Sequence, residues 1–582
     1  MYVECFSGLM IQCAKPKGGI KNFLYLFLNN SYCANRLRTG LQPLYQQNEK
    51  RRFVMKFNLF AKTHNNAPQI TNHEGAPAYT LSPEMELYTA VVTWSLNDSF
   101  YEKDENRLLR LRQLMVKCDP VFVGKLAVYA RTKMYMRSAP LVLVTELARI
   151  HRGDDLVSRV TDHVINRADE ITELLACYTQ LNERQGTKKL NRLSKQLQKG
   201  LSAAFNKFDE YQFAKYNRPA DIKLRDALFL VHPKAKDELQ QLLFNKIASD
   251  TLQTPYTWEA ELSALGRLNF DSDEAKASAF KAKWEELIDS NKLSYMATLR
   301  NLRNMQQAGV SYNHIYKVCT FLSSAVQVAK AKQFPFRFLS AYREIMNTKD
   351  RSTIHSMLQK VGNALFNNQG YTGEILQALE QAVQASAANI KGFDHNTSVL
   401  LACDVSGSMQ KPVSAKSKVL LYDVGLMLAM LLQSRCKNVQ VGMFGDTWKT
   451  ITVPRHNILD NVQTFYRREG EVGYATNGYL VIKDLLNRRI VMDKVMLFTD
   501  CQLWNNTAGS ESIQALWAQY KKQVASGAKL YLFDLQGYGQ APLQIMHNRV
   551  YLLSGWSDKI FEVLEALDRG GSAITEINKI EL

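Results

Sequence analysis

Val399-Leu400-Leu401-Ala402-Cys403 runs straight into Asp404-Val405-Ser406-Gly407-Ser408. Five apolar or small residues in a row predict a buried strand. The following turn then carries one carboxylate and two hydroxyls at the strand's C-terminal end, where crevices open in doubly wound sheets. Four further runs share the strand texture, at 439–444, 494–499, 529–533 and 549–553. Helical stretches separate them at 417–434, 480–487, 512–526 and 558–568. Alternating strands and helices predict an α/β domain with a mostly parallel, doubly wound sheet covered on both faces. Its expected span is 395–582.

The run at 494–499 delivers Asp500 to the same sheet edge as Asp404, and Ala475-Thr476-Asn477-Gly478 opens a helix with a third hydroxyl between them. Asp404, Ser406, Ser408, Thr476 and Asp500 are all hard oxygen donors. Mg²⁺ suits them best, Mn²⁺ or Ca²⁺ also, and zinc does not. Two carboxylates and three neutral hydroxyls leave a divalent ion's coordination open, with room for water or an acidic group from a partner. The pattern resembles the metal-ion-dependent adhesion site of von Willebrand factor A domains, which implies these five residues as the ligand set. A phosphotransferase of the haloacid-dehalogenase type would want a second aspartate two residues after Asp404, and Ser406 stands there.

Upstream the rhythm changes. Segments at 84–96, 107–117, 121–133, 139–151 and 155–166 place apolar residues at three- and four-residue spacing, separated by turns rich in Asp, Pro, Gly and Asn. Many short amphipathic helices in succession predict stacked helix pairs of the HEAT-like repeat kind over 70–392, although no strict sequence period is present. Residues 1–54 look different again, with three of the nine cysteines, a Lys17-Gly18-Gly19 stretch and little periodicity. They are expected to be a non-native or disordered extension, with Met55 as the native start.

The net charge is +18. Residues 55–394 hold 45 Lys and Arg against 36 Asp and Glu, whereas residues 395–582 hold 20 against 17. A basic excess on the helical part favours a polyanionic partner such as nucleic acid. No apolar run approaches the roughly 18–20 residues of a spanning helix, so no membrane partner is expected. The nine cysteines contain no CxxC pair. That suits free thiols in a reducing cytoplasm, so a cytoplasmic location is expected. No Ser-His-Asp set, acid–base carboxylate pair or phosphate-cradling glycine loop occurs, and no catalysis is expected.

Met134-Tyr135-Met136-Arg137-Ser138, Tyr295-Met296-Ala297-Thr298-Leu299-Arg300-Asn301-Leu302 and Phe334-Pro335-Phe336-Arg337-Phe338-Leu339 resemble the TROVE domain of the Ro autoantigen family and its bacterial orthologues. A TROVE domain followed by a von Willebrand factor A domain is that family's layout, and the resemblance covers roughly 70–582. It implies a closed ring of helical repeats. It also implies Y-like small RNAs on the ring's outer surface, 3′ ends of misfolded noncoding RNA in the hole, and a link through RNA to polynucleotide phosphorylase.

Lys215-Tyr216, Lys223-Leu224-Arg225-Asp226-Ala227-Leu228 and His232 resemble the family's Y RNA-binding segment. One basic position of that segment falls on Pro219, with Arg218 beside it. The RNA-binding residues so implied are Lys215, Arg218, Lys223, Arg225 and His232 on the outside, with Arg137 and Arg300 near the hole. Arg131, Lys133 and Arg303 are further candidates there. The expectation is a monomeric, non-catalytic ribonucleoprotein component serving RNA quality control or decay. The competing expectation is a metal-dependent protein-interaction scaffold.

Overall fold

The computed structural model describes residues 69–94, 103–181, 193–217, 221–333, 335–358, 371–388, 390, 393, 396–413, 417–504, 511–557 and 559–582. The extension expected over 1–54 lies outside the described residues, as does Arg218. Two short strands come first, β1 (Gln69–Thr71) and β2 (Pro77–Thr80), and helices then follow from Pro83–Val92 to Thr372–Ser386.

Local chemistry starts these helices where it should. Ser82 caps the first through Met85 N, with Pro83 in the opening turn and Glu84 and Glu86 beside the positive end of the helix dipole. Asp119 caps Pro120–Thr132 through Val121 N, again with proline in the first turn. Close packing then joins the helices in pairs. Between Leu156–Val164 and Lys195–Phe205 a Cβ on Gly200 would stand 2.5 Å from Thr161 Cβ and 2.6 Å from Ser158 O. Only glycine lets these two backbones approach so closely.

The α/β domain is built on β3 (Ser398–Asp404), β4 (Asn438–Phe444), β5 (Trp448–Thr450), β6 (Lys494–Thr499), β7 (Lys529–Asp534) and β9 (Val550–Ser554), with β8 (Gln540–Ala541) apart from them. The six-stranded sheet runs β5-β4-β3-β6-β7-β9. All its pairings are parallel except β4 with the edge strand β5. The sheet is therefore mostly parallel, as expected, with β5 as an antiparallel edge strand. Helix Leu421–Arg435 is buried on every side from Leu421 to Gln433, as a helix needs to be when it lies between the sheet and other helices.

Both ends of the helical arm rest on this domain. At the start, Tyr88 donates to Ser554 O at 3.2 Å and Arg107 to Gln536 O at 2.8 Å. At the end, Arg343 holds Asp423 through two 2.7 Å bonds, and Glu380 accepts from Leu459 N at 2.9 Å. The arm also meets itself, because Lys332 lies 5.0 Å from the ring centre of Tyr135, a ring that Lys559 of the α/β domain approaches to 5.9 Å. Its path is closed.

One small sheet had no counterpart in the sequence reading. β2 pairs antiparallel with β1 and, through Tyr79 and Thr80, with β8 of the α/β domain. Strands of two to four residues are too short to show a period, and the decisive partner lies more than 450 residues away.

Candidate metal centre and nucleic-acid surface

β3 and β6 are neighbours in parallel register, so their C-terminal ends reach the same edge together. Asp404 ends β3, Thr499 ends β6 and Asp500 follows it. Two main-chain bonds close the crevice. Gly407 N donates to Tyr474 O at 3.1 Å, and Trp504 N to Thr476 O at 3.0 Å. Asp404, Ser406, Ser408, Thr476 and Asp500 are at most 5% exposed, and they share this edge.

Their bonds orient them. Ser406 N donates to Asp404 Oδ1 at 2.9 Å, and the Ser406 and Ser408 hydroxyls are 3.3 Å apart. Thr499 Oγ1 donates to Asp404 Oδ2 at 2.7 Å. Gln502 N donates to Asp500 Oδ1 at 3.0 Å, and Thr476 Oγ1 accepts from Trp504 N at 2.9 Å. Thr499 escaped the sequence reading, because only the β3–β6 register places its hydroxyl on Asp404.

Asp500 Oδ2 is buried without a hydrogen-bond partner among the described residues. Burial pushes the Asp404 carboxyl up to about 6, against bonds from Ser406 and Thr499 that work to lower it. Burial, and then the charge of Asp404, push Asp500 up to about 7. Two desolvated carboxylates set against each other, one with an orphaned oxygen, fit a hard divalent cation placed between them.

The arm's expected RNA residues divide into two groups. Lys215 lies over the rings of Tyr211 and Tyr216, at 5.8 and 5.7 Å, on helix Glu210–Tyr216. Arg225 lies over Phe229 at 5.7 Å on helix Leu224–Val231. Tyr211 and Phe229 are themselves 49% and 50% exposed. Lys223 is exposed at the N-cap of that second helix. His232 is exposed at its C-terminus in the left-handed region, φ 49°, with Pro233 behind it. Arg300 is exposed on helix Tyr295–Gln307, and Lys133 is exposed too.

The second group is held in ion pairs. Arg137 is buried and bonded to Asp169 at 3.1 Å, Glu170 at 3.3 Å and Glu173 at 3.0 Å. Arg131 meets Glu170 at 2.7 Å and Arg303 meets Glu344 at 2.8 Å. Arg137 is thus engaged by carboxylates of the following helix and is not free for phosphate. Sequence reasoning also missed Tyr211 and Phe229. The signal for them was an aromatic four residues from a cation on the same helix.

Residues 82–255 and 250–369 match the TROVE domain, and residues 398–566 match the Ro60 vWA domain. Telomerase protein component 1 of Mus musculus is 38% identical over 130 residues, 22% of this chain and 4% of that protein. Its counterpart in Rattus norvegicus is 45% identical over 91 residues, 16% of this chain and 3% of that protein. The chain therefore spans only a few per cent of the length of these curated relatives. The RO (RSR) protein of Deinococcus radiodurans, known from a crystal structure, has the same fold. That likeness covers 84% of this chain and 100% of the other, with a TM-score of 0.51 at 15% identity. With both domain matches in series on a helical arm and an α/β domain, the chain belongs to the Ro family.

Proposed function

We propose that this chain is a non-catalytic RNA-binding scaffold. It takes structured small RNAs of the Y-like kind on the outer face of the arm and single-stranded 3′ ends of misfolded RNA within the arm's closed path. The observation that carries the reading is the interleaving of exposed rings with cations on two consecutive helices, Tyr211 with Lys215 and Phe229 with Arg225. Rings stack on unpaired bases while lysine and arginine neutralise phosphates. Lys223 and His232 extend the same face, and Arg300 is the exposed cation proposed for the 3′ end. Such a scaffold would meet polynucleotide phosphorylase through the RNA.

The test is binding of a small structured RNA with a single-stranded 3′ tail across a salt series. Affinity is expected to fall steeply with salt, and Lys215→Glu with Arg225→Glu to weaken binding at every salt concentration. An affinity indifferent to both salt and these substitutions would contradict the reading.

A second reading concerns the α/β domain, as a Mg²⁺-dependent docking module for protein. The orphaned oxygen of Asp500 in a crevice of hard donors favours it. Asp404, Ser406, Ser408, Thr476 and Asp500 would hold the ion. Asp404→Ala should then release a captured protein partner, while Lys215→Glu should not.

A further inference from the structure

Tyr135 stands where three distant parts of the chain meet. It belongs to the turn between helices Pro120–Thr132 and Ser138–Ile150. Lys332 ends helix Ala325–Ala331 late in the arm, and its ammonium group lies over the Tyr135 ring, 5.0 Å from the centre. Lys559 precedes helix Ile560–Asp568 of the α/β domain and reaches the same ring at 5.9 Å.

This seam is firmly held. Tyr135 has φ 56° and Lys332 φ 49°, a left-handed conformation that non-glycine residues keep only where their surroundings fix it. Met134 N donates to Tyr129 O at 3.2 Å, and Met136 N to Ala130 O at 2.9 Å. The buried Met134 side chain sits on Gly555, just after β9, where a Cβ would stand 2.8 Å from Met134 Cε. The turn is thereby seated on the α/β domain.

The ring positions its cations without cancelling them. Arg137 is neutralised by the carboxylates of Asp169, Glu170 and Glu173. An aromatic ring attracts an ammonium group through its quadrupole and carries no net charge of its own. Lys332 is exposed and makes no ion pair among the described residues. Lys330, two residues before it, is exposed as well. Lys559 meets Glu562 at 2.7 Å, one carboxylate on its own helix. The seam therefore gathers more positive charge than it pairs, at a fixed point, which is what a phosphate requires.

We propose that Tyr135, Lys332 and Lys559 form a clamp for the phosphate backbone of single-stranded RNA, the ring gathering the two ammonium groups and the RNA supplying the anion between them. The inference rests on the RNA reading above. It goes further in making RNA a tie across the seam, so that binding of a single strand and closure of the arm against the α/β domain stabilise each other.

The test titrates the full chain, across a salt series, with a structured RNA carrying a single-stranded 3′ tail and with the same RNA lacking the tail. Lys332→Gln and Lys559→Gln should each bind the tailed RNA about fourfold more weakly at about 0.15 M salt, with a salt slope shallower by about 0.7, and bind the tailless RNA as the parent does. Tyr135→Phe should match the parent, because the ring and not the hydroxyl holds the lysines, whereas Tyr135→Leu should lose affinity for the tailed RNA alone. Intact binding of the tailless RNA shows that each variant is folded. In the parent, the tailed RNA should also slow amide hydrogen exchange around Tyr135 and Lys332 more than the tailless RNA does. Lysine variants that bind the tailed RNA as tightly as the parent, a loss shared equally by both RNAs, or exchange indifferent to the tail overturns the clamp and leaves the wider RNA reading standing. A parent chain that binds neither RNA overturns that reading and the clamp with it.

Discussion

The helical arm and the α/β domain place polar groups in opposite ways. The arm encloses Arg137 among carboxylates and leaves several candidate binding groups in water. Arg137 is enclosed by three carboxylates, while Arg225, Lys223 and His232 stand exposed. The α/β domain buries its candidate binding groups instead, and leaves Asp500 Oδ2 without a partner. An exposed cationic face suits a long polyanion, which needs many modest contacts spread over an area. A buried knot of oxygens suits one small ion that gives back at a single point the free energy lost to desolvation. The same chain therefore carries two proposed binding devices built on different physics.

Arg137 gives the sharpest way to break this contrast. Arg137→Ala strands buried carboxylates and should cost about 3–5 kcal/mol of arm stability in urea unfolding, whereas the exposed Arg300→Ala should stay within about 0.5 kcal/mol. Equal effects would show that the two arginines are not the inner and outer groups described. Next in size, Asp404→Ala should weaken Mg²⁺ binding by about 100-fold or more while leaving RNA affinity unchanged. Parallel calorimetry and RNA titration would read this, and a loss of both would tie the two devices together.

Tyr211→Ala and Phe229→Ala should each weaken RNA binding by about 1–3 kcal/mol with little change in its salt dependence, because stacking releases no counterions. A flattened salt slope would instead assign them to phosphate.

The smallest effect concerns pH. Burial works to raise the Asp568 carboxyl, but bonds from Lys494, Lys529 and Tyr531 hold it below the ordinary 3.8. A lowered acid in the folded state contributes stability that is full above its unfolded value and is lost as pH falls through the folded one. Asp568→Asn should therefore destabilise the α/β domain at neutral pH, and the difference from the parent should shrink below pH 3.8 in urea titrations. A difference that persists in acid would point to packing alone.

These two regions also differed in how far the sequence revealed them. Five of the α/β strands were readable to within a residue, since apolar runs flanked by turns dictate buried strands, and 494–499 coincides with β6, whereas the short β5 and β8 were not. The metal-type cluster was readable because Asp404, Ser406 and Ser408 are contiguous and Asp500 ends a recognisable strand. Thr499 was not, since only the β3–β6 register brings its hydroxyl to Asp404. In the arm, helices were legible from their spacing, but their faces were not. Arg137 and Arg300 each sit in a motif resembling the TROVE domain, and only packing makes one buried and the other exposed. Charge alone could not separate them.

The account depends most on the arm's exposed face being the one that meets RNA. Ultraviolet crosslinking of the full chain to cellular RNA, followed by mass spectrometry of the adducted peptides, addresses this directly. Adducts on the segment from Tyr211 to His232, with structured small RNAs attached, are the predicted result. Protein recovered without RNA, or adducts confined to the α/β domain, would contradict it.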